Sequence, residues 1–264
     1  MRRPLGIEWM KIRNYRTFWI LLGIIIASIP AFNYMIFSFT NNQFPKNKRG
    51  VSPLGNPFSF PDAWHTISWF SSLLFVLPAI LVITLTTNEF TFKTHRQNII
   101  DGWSRNKYIS VKLVGVLFLA VICTIVVLLT VLGFGYLGNK GPVNVSIWEG
   151  SRFLFFYFVE VLSYSMIAFV MAVLIKRSGL AIGIFLIYMI VEQAVMGILT
   201  NIYHLQAAQY LPEETTDRLI PLPFIQISDP AGWEHRIPGY LIAAAIYLII
   251  YCVLTSRYFL KSDL

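Results

Sequence analysis

Charge is what this sequence has least of. Asp, Glu, Lys and Arg make up 13% of its 264 residues, against 56% hydrophobic, whereas a soluble domain is usually about a quarter charged. No water-soluble core absorbs that excess, and the evenly spread apolar runs leave no stretch to fold apart as a soluble catalytic module. One membrane domain over residues 1–264 is expected. Cysteine is nearly absent too. Cys123 and Cys252 both lie inside apolar runs, where a thiol behaves as a small buried hydrophobe, so neither a disulfide framework nor a metal site is implied. The formal charge of +8 comes with no basic, aromatic-studded patch, which argues against nucleic acid as a partner.

What the chain does have is long hydrophobic runs. A helix needs roughly 20 mainly apolar residues to cross the hydrocarbon core, because lipid cannot pair backbone polar groups. Six segments qualify: Thr17–Phe39, Thr66–Thr87, Val111–Tyr136, Phe153–Ile175, Ser178–Thr200 and Pro238–Ser256. The first run exceeds the usual 7 to 15 residues of a secretory signal and lacks a small-residue cleavage site, so it reads as a retained span. The fold class is therefore all-α integral membrane.

Six spans put both termini on one side. The segments of that side carry 14 Lys and Arg residues against seven on the other, where seven acids offset them. Basic residues resist translocation, so both termini are expected in the cytoplasm. Ahead of the first span, residues 1–16 place Leu5, Trp9 and Ile12 at i, i+4, i+7 with Glu8, Lys11 and Asn14 turned away. That suits an interfacial helix in contact with membrane lipid, or a plain basic juxtamembrane tail.

The connection between spans two and three, residues 88–110, is longer than an inter-helix loop needs. Ile99, Ile100 and Trp103 form a narrow apolar stripe at helical spacing, flanked by Gln97, Asp101 and Arg105 about a turn apart. It reads either as a short helix open to a soluble partner, with Trp103 as its anchor, or as a solvated connector. Two carboxylates fall inside spans, Glu160 and Glu192, beside Tyr164 and Gln193. Burial there is expensive, so each should face protein or water. Glu160, about 12 Å in from Arg152 at helical rise, is too deep to snorkel; a structural hydrogen bond is preferred to a substrate-path role. For Glu192, nearer a helix end, reaching for the interface is an equal alternative.

In its arrangement the chain resembles a permease subunit of the ABC-2 type of transporter. The likeness rests on the basic N-terminal helix, the six spans, the long second connection and the outer segment 201–237, which in that family often contains short re-entrant or outer helices. Within the second connection, Glu89 through Thr94, then Arg96, Gln97, Ser104, Arg105 and Lys112, resemble the family's coupling segment. The resemblance implies a bacterial plasma-membrane exporter subunit, paired with a second permease copy or paralogue and with separate ATPase subunits that bind ATP and Mg. It also implies that Arg96, Gln97, Ile99, Ile100, Asp101, Trp103, Ser104 and Arg105 transmit ATPase motion.

The chain lacks ATPase motifs of its own. Gly133-Phe134-Gly135-Tyr136-Leu137-Gly138-Asn139-Lys140 has asparagine where G-x-x-x-x-G-K-[ST] needs lysine. As a G-x-G-x-x-G it ends an apolar helix rather than opening one after a strand. A glycine-rich helix end is the reading preferred. Glu213-Glu214-Thr215-Thr216-Asp217-Arg218 matches the E-E-x-x-x-R opening of intramembrane CAAX-type proteases, yet it lies between Pro212 and Pro221 in the outer segment, without the histidines such sites use, and is expected as a solvated outer helix or turn. The readings that compete with transport are an intramembrane enzyme built on the membrane carboxylates and a membrane scaffold that moves nothing.

Overall fold

The computed structural model describes residues 2–43, 57–94, 97, 100, 103–139, 147–223 and 230–261. Arg96, Ile99 and Asp101 lie outside them. Among the described residues the regular structure is helical throughout: α1 (Arg2–Arg13), α2 (Arg16–Gln43), α3 (Asp62–Ser72), α4 (Val76–Thr91), α5 (Arg105–Gly138), α6 (Arg152–Ile175), α7 (Ser178–Asn201), a 3₁₀ turn (Gln206–Tyr210), α8 (Glu214–Asp217) and α9 (Pro230–Lys261). Five helices, α2, α5, α6, α7 and α9, are long and apolar enough to cross a bilayer, which makes this a multi-pass membrane protein.

The second predicted span differs from expectation. It is not one straight helix but α3 and α4, bent by 45° at a short break. Pro78, in the first turn of α4, has no N–H to close a helical turn onto Leu74, and its ring crowds the carbonyl there. The chain crosses the break with tighter bonds instead, from Leu74 N to Ser71 O, Phe75 N to Ser72 O and Leu77 N to Leu74 O, each 3.0–3.1 Å. Counted as one, the bent pair supplies a sixth crossing.

Helix α6 is the axis of the bundle. Two thirds of its apolar window (67%) is buried, against 11% for α7 and α9, and it packs on α3, α4, α5, α7 and α9. Tyr157, Val161, Phe169 and Ala172 fill its inner contacts. Ile187 and Ile190 of α7 and Ile246 and Ile249 of α9 stay exposed, as side chains facing lipid should.

Two polar ties hold one end of the bundle, which we term the terminal face. Glu89, at the end of α4, receives Lys112 of α5 at 2.7 Å, Lys11 of α1 at 3.6 Å and the Tyr108 hydroxyl at 2.6 Å. The Arg105 guanidinium, in the first turn of α5, donates to the Leu260 carbonyl at 2.6 Å, meeting the electron-rich end of α9. Both ends of the chain thus share this face.

At the opposite face the glycines of α5 have a packing reason. A Cβ on Gly138 would strike the Phe58 carbonyl, and one on Gly135 would lie 2.5 Å from the Phe60 ring, whereas Gly133 has open space. The glycine-rich run is a helix end against which residues 58–60 close. Gly138→Ala is expected to cost about 1–3 kcal/mol through overpacking against backbone and to lower the melting temperature in detergent, while Gly133→Ala leaves it unchanged; equal melting of the two variants would contradict the close approach.

Candidate functional site

The segment between α7 and α9 does not stay at the surface. From Gln206 it folds into the 3₁₀ turn, passes Pro212 and makes the single turn α8 before returning at Pro221. Tyr164 lies twelve residues into α6, roughly 18 Å along the helix axis, and its hydroxyl donates to Asp217 Oδ1 at 2.8 Å. The tip therefore reaches the middle of the bundle.

Backbone that leaves helical geometry at such depth is tolerated only when protein pairs it. Here Glu192 Oε1 accepts the N–H groups of Glu213 at 2.6 Å and Glu214 at 3.4 Å, Trp233 Nε1 donates to Arg218 O at 2.9 Å, and the Tyr247 hydroxyl donates to Tyr210 O at 2.8 Å. Thr215 and Thr216 turn their hydroxyls back onto Leu211 O and Glu213 O. Of the expected solvated helix or turn, the short helix is present as α8, but its solvation is overturned by this packing. Glu213 is 1% exposed, and Glu214, Thr215 and Thr216 are buried with it.

Five carboxyl groups gather as a result. Glu160 and Glu192 come from α6 and α7, Glu213 from the approach to α8, and Glu214 and Asp217 from α8 itself. Tyr164 is within electrostatic reach of Glu160, Glu213 and Asp217. Arg218 bridges to Glu214 at 2.6 Å, Ser72 hydrogen-bonds Glu160, and Tyr188 hydrogen-bonds Glu192. The break in the second span contributes directly, since it places Ser71 and Ser72 beside this cluster, and Asn33 of α2 donates to Ser71 Oγ at 3.0 Å. A cavity of about 450 Å³ adjoins the tip, lined by Trp69, Glu214, Asp217, Arg218, Trp233 and Tyr240, together with Arg236.

Of the predicted membrane polar residues, Glu160, Tyr164 and Glu192 come together and Gln193 does not. Gln193 is exposed on the far side of α7, because successive positions on a helix point about 100° apart. Glu192 does not seek the interface; it is 5% exposed and bonded to the re-entrant tip. Sequence reasoning weighed Glu213, Glu214 and Asp217 only as a protease-like motif and did not place them in the site. The available signal was three acids among the eight residues between Pro212 and Pro221, which reads equally as a solvated helix or turn.

The connector at the terminal face departs from expectation in two residues. Trp103, expected to project toward a partner, is 8% exposed and packs with Tyr108, Ile109, Val111 and Phe259 of its own chain, with the Lys107 ammonium 5.8 Å above its ring. Arg105, expected beside the apolar stripe of the coupling segment, is instead bonded to α9. Both are drawn inward because Ser104 caps α5, accepting from Lys107 N at 3.3 Å, which starts the third span earlier than hydropathy suggests. The backbone is helical at Gln97 and Ile100, and both side chains are exposed.

Residues 19–264 match the family described as Protein of unknown function (DUF2705), and the chain belongs to that family. A search of the curated proteins finds no match.

Glu192 is expected to support the re-entrant tip as an acceptor. Glu192→Leu leaves two buried N–H groups unpaired, at about 1–3 kcal/mol each, whereas Glu192→Gln keeps an acceptor oxygen. Thermal unfolding in detergent should rank wild type above Gln and Gln well above Leu; a Leu variant as stable as Gln would show that the tip does not depend on this bond.

Proposed function

We propose that the chain is the membrane permease subunit of an ATP-driven exporter of the ABC-2 type, seated in a bacterial plasma membrane with both termini in the cytoplasm. ATP and Mg are bound by a separate ATPase subunit, and a second permease copy or a paralogue completes the transporter. The excess of basic residues at the terminal face, fourteen against seven, supports that orientation.

One observation carries the reading. On the connector between α4 and α5, Phe92 is 70% and Ile100 77% exposed, and both stand beyond the helices that cross the membrane. Large apolar side chains held clear of the bundle at its polar end favour a partner surface that covers them. The connector is also fixed at its far end by Trp103 in its cluster and Arg105 on α9. A push that reaches Trp103 and Arg105 therefore bears on α5 and α9 together. Trp103 acts in this scheme as an internal strut, and Phe92 and Ile100 take the role of anchors.

The test is recovery of the ATPase subunit with tagged permease from native membranes, together with transport per ATP hydrolysed. Truncating apolar anchors at an interface commonly costs about 2 kcal/mol or more, so a Phe92→Ser, Ile100→Ser double variant should insert normally yet lose most of its ATPase. Trp103→Ala should instead lower the thermal stability of the permease itself, by about 3 kcal/mol for a buried aromatic. ATPase recovery and coupling equal to wild type in the double variant would sink the proposal, and catalysis by the permease without any ATPase would favour the intramembrane enzyme.

A further inference from the structure

Another cavity, of about 290 Å³, opens at the terminal face between α1, α2, α4 and α5. Its walls follow from helical spacing. Val82, Leu85, Thr86 and Glu89 line it from α4, and Lys112, Gly115, Leu119 and Ile122 from α5, so each helix gives it one face. From Lys112 to Ile122 is about 15 Å at helical rise, half of a hydrocarbon core of roughly 30 Å. The cavity therefore runs one leaflet deep. It is open to its surroundings, since Gly115 is exposed and Trp9 and Phe118 on its walls are 47% and 55% exposed. Along its length it is apolar, and at the terminal face it is charged. Lys11 and Lys112 both meet Glu89, at 3.6 and 2.7 Å, so two ammoniums face one carboxylate among the described residues that line it. The N-terminal segment 1–16 is basic as a whole, with five Lys and Arg residues against the single acid Glu8.

We propose that this cavity binds an anionic phospholipid, with one acyl chain lying between α4 and α5 and the headgroup held at Lys11 and Lys112.

Three features select that occupant. The apolar walls end at the depth of one leaflet, which suits a single hydrocarbon chain, whereas a helix, about 10 Å across, does not fit into this volume. The excess of positive charge sits at the mouth alone, where it complements an anionic headgroup at the membrane surface, and Trp9 stands beside it, as indole rings do at the boundary between lipid and water. The room for the chain is also built into α5. Gly115 lies in the middle of the cavity-facing stripe, and a Cβ placed there would meet nothing within 4 Å, so a larger residue would fill the cavity without striking the bundle. The site follows from the chain spanning a membrane and does not depend on the exporter reading.

The test uses the purified full-length chain, without ATPase, in phosphatidylcholine nanodiscs doped with phosphatidylglycerol or phosphatidylcholine carrying dibrominated acyl chains. Bromine quenches nearby indoles, and the difference between wild type and Trp9→Phe isolates the signal of Trp9. Brominated phosphatidylglycerol is expected to quench Trp9 saturably, with a midpoint about fivefold lower in mole fraction than brominated phosphatidylcholine, the effect of one net positive charge near the surface. Lys11→Gln should erase that preference. Gly115→Leu, whose side chain fills the cavity, should abolish the saturable quenching while melting at the wild-type temperature, and Gly115→Ala should retain it. Equal midpoints for the two lipids in wild type would mean ordinary boundary lipid and would overturn the site. So would an unchanged preference in Lys11→Gln, or saturable quenching that survives in a folded Gly115→Leu chain. Because no ATPase is present, loss of lipid binding here and loss of ATPase recovery in the connector variants are separate failures.

Discussion

Lipid gives a backbone amide nothing to bond to, so a chain that stops being helical inside a bilayer must bring partners with it. At residues 213 and 214 that partner is the Glu192 carboxylate, which accepts two N–H groups at the start of α8. Much of the interior follows from this bond. It draws an acid-rich segment to the depth of Tyr164, where Asp217 meets the Tyr164 hydroxyl, and it forces α9 to begin by closing over the returning strand of chain through Trp233. An aliphatic residue at 192 would leave both of these N–H groups without their acceptor.

The break at Pro78 works on the same region from the other side. A continuous second span would bury Ser71 and Ser72 in ordinary helix packing. The interruption sets them at the level of Asn33 and Glu160, so that a kink dictated by one missing N–H lengthens the polar interior across α2, α3 and α6. Around it the bundle is apolar, and α6 supplies the wall that most helices share. At the terminal face the ties are ionic, with Glu89 gathering Lys11 and Lys112. At the opposite end aromatic packing and close glycine contacts join the exposed Arg152–Glu234 pair.

The spans were legible in the sequence because a bilayer demands length and apolarity, and both are local properties. Five long helices follow the predicted runs, although Ser104 begins α5 several residues before Val111 and Pro230 begins α9 before Pro238. The expectation that Glu160 faces protein was legible for the same reason, since its depth leaves no other course. What escaped was whatever depends on contacts distant in sequence. Tyr164 and Asp217 are separated by 53 residues, and no periodicity links them. Trp103 had the spacing of an outward stripe, yet Phe259, at the far end of the chain, provides the surface it packs on. Glu213 and Glu214 carried charge and stood between prolines, the ordinary marks of a loop in water, and their burial depends on Glu192, 21 and 22 residues earlier, for their backbone N–H groups.

The same long separation governs how the protein is made. A ribosome adding about 5–20 residues per second completes α6 several seconds before it reaches residue 217. Through that interval Glu160 and Tyr164 sit in a nascent membrane domain that does not yet contain the segment meant to meet them. Helix α7 arrives next and brings Glu192, but its carboxylate too must wait for the tip. Assembly is therefore ordered, with α6 held by α3, α4 and α5 first and its polar face closed last. A chain truncated after Asn201 would retain five of its crossings and leave that face open, which makes it a natural substrate for membrane proteolysis rather than a smaller working protein.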